Sequence, residues 1–279
     1  MQRRLALVVG ALAFVVAAAA VAPSARAEPA ALVSPYWGGY AVTAPAGTPT
    51  SFTQVQGTWT EPAVTCTAGT KSAASIWVGL GGFVTGSTGL EQIGTNANCG
   101  ANGRASYFAW FELFPFVAYP IKARVHAGDT LSASVHARVD DVVLRLRNAT
   151  RRWTVTKTHT WATPNPDLSS AEWIVEVPQS CHGIVCTSTR LSEFGSLTMT
   201  DIAAATTAGS TTLAAVPWSV SAISLVPGPP RTWRIDDDPD AGTIVPAASP
   251  EGAGSAPGAT PGPLSADGSS FTLAWLRTP

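Results

Sequence analysis

The chain has 279 residues, a formal net charge of −1 and 13% charged residues, about half the usual share. No basic field is present to gather nucleic acid or anionic lipid, and there is no polyacidic tail, so partners held mainly by charge are excluded. Hydrophobic residues make up 46% of the chain and include ten Trp and nine Phe, so core material is ample, and one large domain is the default at this length.

The chain begins Met1-Gln2-Arg3-Arg4, runs through apolar Leu5 to Ala22 and reaches Ala25-Arg26-Ala27. A basic start, an apolar stretch and a small-x-small ending predict a secretory signal over residues 1–27. The competing reading is an uncleaved anchor. The cleavage-type ending and the lack of stop-transfer charges argue against it, so no membrane contact is expected after signal removal. The mature chain, residues 28–279, would be secreted and would keep Cys66, Cys99, Cys181 and Cys186. An even number in an exported protein fits two disulfides. Three pairings are possible, and 66–99 with 181–186 is favoured because the second closes a small loop. His182 beside Cys181 is the only hint of zinc-type spacing, and no metal or cofactor is expected.

From residue 35 onward, short segments rich in Val, Thr, Trp, Phe and Ile alternate with clusters of Gly, Pro, Asn and Ser. No stretch holds a helical period over twelve residues. Strands are predicted at 36–43, 52–60, 75–80, 90–94, 105–114, 120–125, 130–138, 141–148, 152–158, 171–177, 196–201, 219–226 and 270–276. The pattern means an all-β sandwich or barrel. One helical turn is expected at Leu191 to Phe194. Loops are expected at 45–49, 81–89, 96–103, 164–168 and 227–230. The longest irregular piece, residues 236–263, is dense in Pro, Gly, Ala and Ser. The strand-like stretch beyond it makes it an excursion that returns to the same sheet, which leaves residues 28–279 as a single domain.

Three stretches combine apolar surroundings with polar chemistry. In Ser170-Ala171-Glu172-Trp173-Ile174-Val175-Glu176, an extended backbone puts Glu172, Ile174 and Glu176 on one face. A carboxylate in that company must be paired, hydrogen-bonded or working. In Tyr107 to Phe116, Phe108, Trp110, Glu112 and Phe114 share a strand face. This is either an aromatic core strand with one satisfied acid or the wall of a substrate cleft. In Gly89-Leu90-Glu91-Gln92-Ile93-Gly94, Glu91 and Gln92 fall on opposite faces. Taken alone, such a glutamine is usually structural.

Familiar alternatives are absent. Gly86-Ser87-Thr88-Gly89 does not fit GxSxG, the four histidines look scattered with none in HExxH, and no single cysteine stands apart as a nucleophile. The acidic run Asp236 to Asp240 lacks calcium-loop spacing. Asn148-Ala149-Thr150 is a glycosylation sequon by spelling.

Together these stretches resemble the glutamic peptidases, the eqolisin family, over roughly residues 34–225. The marks are Trp37-Gly38-Gly39, Gly57-Thr58-Trp59-Thr60-x-Pro62, Trp77-Val78-Gly79-Leu80-Gly81, Leu90-x-Gln92-x-Gly94, Tyr107-x-Ala109-Trp110-Phe111-Glu112-x-x-Pro115 and Ala171-Glu172-Trp173-Ile174-Val175-Glu176. The resemblance implies a sandwich of two long antiparallel sheets, concanavalin-like or jelly-roll in type, and an acid-acting endopeptidase. It places the catalytic glutamine on Gln92, the catalytic glutamate on Glu172, and the substrate-cleft residues on Trp37, Trp77, Trp110 and Glu112. Tyr36 departs from a common Asn, and Gly81 and Phe108 from Asp residues of the fungal members.

The chemistry is sound in outline. Peptide hydrolysis needs an activated water, a stabilised oxyanion and a proton for the leaving nitrogen. An ionised Glu172, with a reference pKa of about 4.3, would serve as base in acid, where histidine is already protonated. Gln92 would orient the water and donate to the oxyanion, which an ionised carboxylate cannot do. The partners are then polypeptide substrates, and nothing in the chain demands more than a monomer. Two alternatives are a β-sandwich glycoside hydrolase with Glu112 and Glu172 as a retaining pair, and a non-catalytic module with a hydrophobic groove.

Overall fold

The computed structural model describes residues 29–276 except 49, 88, 162–165, 183–184, 215–217, 229, 231, 235–244 and 247–257. The predicted signal segment and most of the 236–263 excursion lie outside the described residues. The first strands are β1 (Ala30–Ser34), β2 (Trp37–Thr43), β3 (Phe52–Thr60), β4 (Ser72–Gly81), β5 (Leu90–Cys99), β6 (Ala105–Phe114) and β7 (Tyr119–Ile121). Next come β8 (Thr130–Ala137), β9 (Asp141–Asn148), β10 (Trp153–Thr160), β11 (Ser170–Glu176), β12 (Gln179–His182), β13 (Val185–Ser188) and β14 (Arg190–Leu191). The last are β15 (Ser196–Thr206), β16 (Gly209–Thr211), β17 (Ser219–Leu225), β18 (Thr232–Arg234), β19 (Val245–Pro246), β20 (Ala259–Pro261) and β21 (Phe271–Trp275). No helix occurs among the described residues.

The pairings trace two layers. One runs β7-β6-β5-β4-β11-β2-β17-β1, antiparallel except for the parallel β17–β1 pair. The other runs β10-β9-β8-β3-β15-β21-β20, antiparallel throughout. A single pair, Leu225 with Ala259, joins the layers at one edge through β17 and β20. Val78, Ile93 and Trp173 from the first layer and Val55, Leu131 and Leu144 from the second fill the space between them.

The two layers differ in how their strands are buried. In β8 and β9, buried positions alternate with more open ones, as expected of a sheet that faces water on one side. Strands β4, β5 and β11 are buried on nearly every residue. Their second face carries its own apolar cluster, which includes Trp37, Trp77, Trp110 and Ile174. That face holds the candidate site.

Local chemistry overrides several turn signals. The helical turn expected at 191–194 does not form. Arg190 and Leu191 instead pair in parallel with Ser72 and Ala73, and Glu193 bridges Thr65. Burying Leu191 and Phe194 against the core draws this backbone onto the edge of β4, where Ser192 N–H donates to the Ala73 carbonyl at 3.1 Å. The loop expected from residue 96 begins later, because β5 runs to Cys99 and pairs with both neighbours along its length. Asn96 is tolerated in a buried strand since the Ser75 hydroxyl donates to its Oδ1 at 2.7 Å. The strand expected at 120–125 is the shorter β7. The strand beyond the 236–263 excursion does return to the sheet, as β21 against β15 and β20. The sequon is not available as a surface site. Asn148 is fully buried, and its amide donates to Asp129 Oδ2 at 2.8 Å.

Cys66 and Cys99 form a disulfide. Cys186 is also disulfide-bonded and stands directly across the β12–β13 register from Cys181. Replacing both Cys66 and Cys99 by Ala removes a crosslink across a sequence separation of 33. In the chain-entropy account this is expected to cost about 4 kcal/mol, read as a lower midpoint in urea unfolding.

Candidate active site

Strand β11 lies between β2 and β4, so each of its residues has two register partners. Glu172 stands opposite Gly79 of β4, Gly79 opposite Gln92 of β5, and Gln92 opposite Glu112 of β6. Residues paired across strands project from the same face, so this row aligns three polar side chains around one glycine. Glu172 and Gln92 are two strand spacings apart, about 9.5 Å between backbones. A Cβ on Gly79 would come within 2.9 Å of Leu90 Cδ1 and of Trp77 Cζ3. Glycine therefore leaves room for the Trp77 ring and Leu90 to pack onto the strand between the two polar side chains.

The same face carries Trp77 on β4, Trp110 on β6, Ile174 and Glu176 on β11, and Trp37 on β2. The Trp37 and Trp77 rings meet edge to face, 5.1 Å apart at 80°. All six residues that the sequence assigned to catalysis and substrate binding, Gln92, Glu172, Trp37, Trp77, Trp110 and Glu112, thus lie on one face of one sheet.

Gln92 Nε2 donates to Glu112 Oε2 at 2.7 Å, which fixes the orientation of the amide. Gln92 Oε1 is buried with no hydrogen-bond partner among the described residues, and both carboxyl oxygens of Glu172 are buried with only the Ser170 side chain as a nearby donor. Trp77 Nε1 donates to Glu176 Oε2 at 2.8 Å.

Burial dominates the electrostatics. It pushes the fully enclosed Glu172 carboxyl well above its usual range, Ser170 on the same face works against this, and Asp167 and Glu91 add to it. Burial raises Glu112 to about 7, partly offset by the Gln92 amide. Glu176 is raised to about 8 by burial and by Glu112, against its bonds from Trp77 and Trp37. Burial therefore works against an ionised Glu172 in acid, since the reference value neglects the cost of charging an enclosed carboxyl.

Two acids near the row went unassigned in the sequence. Glu91, on the opposite face from Gln92, is raised to about 8 by burial and by Asp167. Asp167 precedes β11. Its carboxylate accepts from the Ser87 hydroxyl, the Gly82 N–H at 3.3 Å and the Ser169 N–H at 3.0 Å. The Asp-x-Ser turn at 167–169 is a local signal that could have marked it. It also gives the Gly81 departure a local reason. Gly81 has φ +83°, and a Cβ there would lie 3.2 Å from the Asp167 Cβ and closer still to its carbonyl.

A model of the peptidase A4 family matches residues 35–223. The chain belongs to the peptidase A4 family. Aspergillopepsin-2 of Aspergillus niger is 35% identical over 142 residues, which cover 50% of this chain and 48% of that protein. The match therefore spans about half the length of this A4 relative. Among solved structures, scytalido-glutamic peptidase with a transition state analog inhibitor superposes with a TM-score of 0.64 at 19% identity, over 86% of this chain and 98% of that one. A member of the eqolisin family in complex with the tripeptide Ala-Ile-His gives 0.61 at 17% identity, over 86% and 98%. Aspergilloglutamic peptidase from Aspergillus niger gives 0.52 at 23% identity, over 74% and 99%. These superpositions share the β-sandwich of the A4 chain.

Proposed function

We propose that the chain is a secreted, acid-acting glutamic endopeptidase, with residues 28–279 as one peptidase domain and Glu172 and Gln92 as its catalytic pair. The observation that carries the reading is the row Glu172-Gly79-Gln92-Glu112, in which Glu172 has no side-chain donor beyond its own strand neighbour Ser170 and Gln92 is tied to Glu112 by one amide N–H. The A4 family membership supports the reaction class. Export is supported by the signal-like residues 1–27 and by the Cys66–Cys99 disulfide. Polypeptide substrates are supported by the tripeptide and peptide-based analog held by two of the structural relatives.

In the mechanism we infer, Glu172 works from its neutral form. One of its oxygens accepts a proton from the attacking water while its O–H gives a proton to the substrate carbonyl oxygen. The water oxygen bonds to the carbonyl carbon, and Glu172 ends the step neutral. The remaining Gln92 N–H donates to the carbonyl oxygen and stabilises the partial negative charge on it until the proton from Glu172 arrives, giving a neutral gem-diol, and Gln92 Oε1 orients the water. Collapse of the intermediate breaks the C–N bond and passes a proton through Glu172 to the leaving nitrogen. Because the protonated carboxyl is the active form, the rate falls as pH rises through the raised Glu172 pKa.

The test is cleavage of an unfolded protein, followed by the appearance of new amino termini. Hydrolysis near pH 3–4 that declines toward neutral pH is expected. Hydrolysis of xylan or cellulose without proteolysis would move the assignment to a glycosidase, and neither activity would leave a binding module.

A further inference from the structure

Glu176 shares the site face with Glu172 but has no part in the mechanism above. It closes β11, opposite Trp37 of β2 and Ser75 of β4. Its carboxyl accepts from Trp77 Nε1 at 2.8 Å and stands across the register from Trp37, whose indole also favours the charged carboxyl. These rings pack edge to face, so one carboxyl ties together two tryptophans that already touch. Packing alone does not explain an acid here. The surrounding cluster includes Trp37, Trp77 and Ile174, and a half-buried carboxyl against these rings costs more to desolvate than a Leu that would fill the same space.

What the carboxyl secures is the attitude of the Trp77 ring. The pyrrole edge of that ring is held by Glu176, and its far edge, at Cζ3, lies against Gly79. Gly79 is the one position between Glu172 and Gln92 in the register row. A tilt of the indole about its long axis would therefore move the floor beneath both side chains. A residue four positions from Glu172 is in this way linked to the geometry of the pair without touching it.

We propose that Glu176 is a positioning residue of the peptidase site, which sets the Trp37 and Trp77 rings as the floor on which the substrate chain lies. The role rests on the function proposed above. It acts on ground state and transition state alike, so its loss should appear mainly in KM.

The experiment compares Glu176→Leu, which offers no acceptor, with Glu176→Gln, which keeps one. Peptide hydrolysis is measured alongside thermal unfolding and the Trp77 indole N–H resonance, assigned by its disappearance in Trp77→Phe. Glu176→Leu is expected to raise KM about tenfold with kcat within about threefold, in line with loss of a hydrogen bond to a charged or strongly polar group. Glu176→Gln should recover most of that loss. The indole resonance should move upfield in the Leu variant. Should the Leu variant fail to fold, Trp77→Phe removes the donor of the same bond in place of its acceptor and is expected to raise KM several-fold with kcat within about threefold. A folded Trp77→Phe with wild-type KM would overturn the proposal. A folded Leu variant with wild-type KM and an unmoved indole resonance would overturn the positioning role alone. A wild-type chain that cleaves no peptide at any pH would overturn the functional reading and this role with it.

Discussion

Gln92→Ala and Glu172→Gln are each expected to lower kcat for peptide hydrolysis by at least about 100- to 1000-fold, the range typical for loss of a transition-state donor. The two losses have different origins. Gln92→Ala removes the amide N–H proposed to donate to the carbonyl oxygen in the transition state and leaves Glu112 without the donor it has at 2.7 Å. Glu172→Gln keeps size and shape but cannot exchange one proton for another, so both the attack and the departure of the amine lose their shuttle. Neither change should unfold the protein. The one side-chain donor near Glu172 is Ser170, which an amide oxygen can still accept from, and a neutral amide is easier to enclose than a carboxyl whose charging is penalised. Single-turnover rates beside thermal unfolding curves check both statements. Near wild-type kcat in either folded variant would refute the catalytic pair.

The second large effect is on stability. The chain should be most stable in mild acid and lose stability steadily toward pH 8. Glu61 shows why. It is 1% exposed, accepts from Thr95 Oγ1 at 2.6 Å and Trp59 Nε1 at 3.3 Å, and is raised from 4.5 to about 7, first by burial and despite those bonds. Below pH 4.5 it is protonated in folded and unfolded chains alike and contributes no pH dependence. Between 4.5 and 7 the unfolded chain has released the proton and the folded chain has not, so unfolding becomes easier with each step in pH. Across that window one such group costs roughly 3 kcal/mol. Glu91, Glu112 and Glu176 act in the same direction, with values of about 8, 7 and 8. At the acid end, Asp129 opposes this. Burial pushes it up, but bonds from Asn148, Arg151 and the His126 N–H outweigh that and hold it low, so its contribution is lost only as pH falls through that lowered value. Urea unfolding at pH 4, 6 and 8 should therefore give falling free energies. Glu61→Gln should match wild type near pH 4 and gain roughly 3 kcal/mol at pH 8. A flat profile in wild type would show that these carboxyls are not charged with difficulty.

Much of the site was legible in the chain because it sits on strands. The alternation of β6 and β11 assigns Trp110 and Glu112 to one face, and Glu172 and Glu176 to one face, without knowledge of any neighbour. Faces are local properties. What alternation could not do was rank Glu172 and Glu176, which it treats alike. Their difference comes from what lies across the register: a glycine and then Gln92 beside Glu172, a serine and two indoles around Glu176. Gln92 shows the same limit from the other side. Alone on its short strand it reads as structural, and it becomes a candidate only where the register sets it in one row with Gly79 and Glu172.

The misses have a common cause. The turn residues of 96–99 and the helical turn at 191–194 were judged by local preference, and both yielded to hydrogen bonds and burial supplied by β4. Asp167, in a turn-rich segment, was passed over because its partners Ser87 and Gly82 lie about eighty residues away in sequence.

By itself the sequence determined the all-β class, the apolar company of each acid, the likeness to the glutamic peptidases and the faces of the strands, because all of these follow from residue type and period two. Only the tertiary structure decided which strands adjoin and in what register, and hence that Glu172, Gly79, Gln92 and Glu112 form one row. It also decided the electrostatics of that row. Burial is a property of the assembled layers, and it raises the Glu172 and Glu112 carboxyls above their usual range.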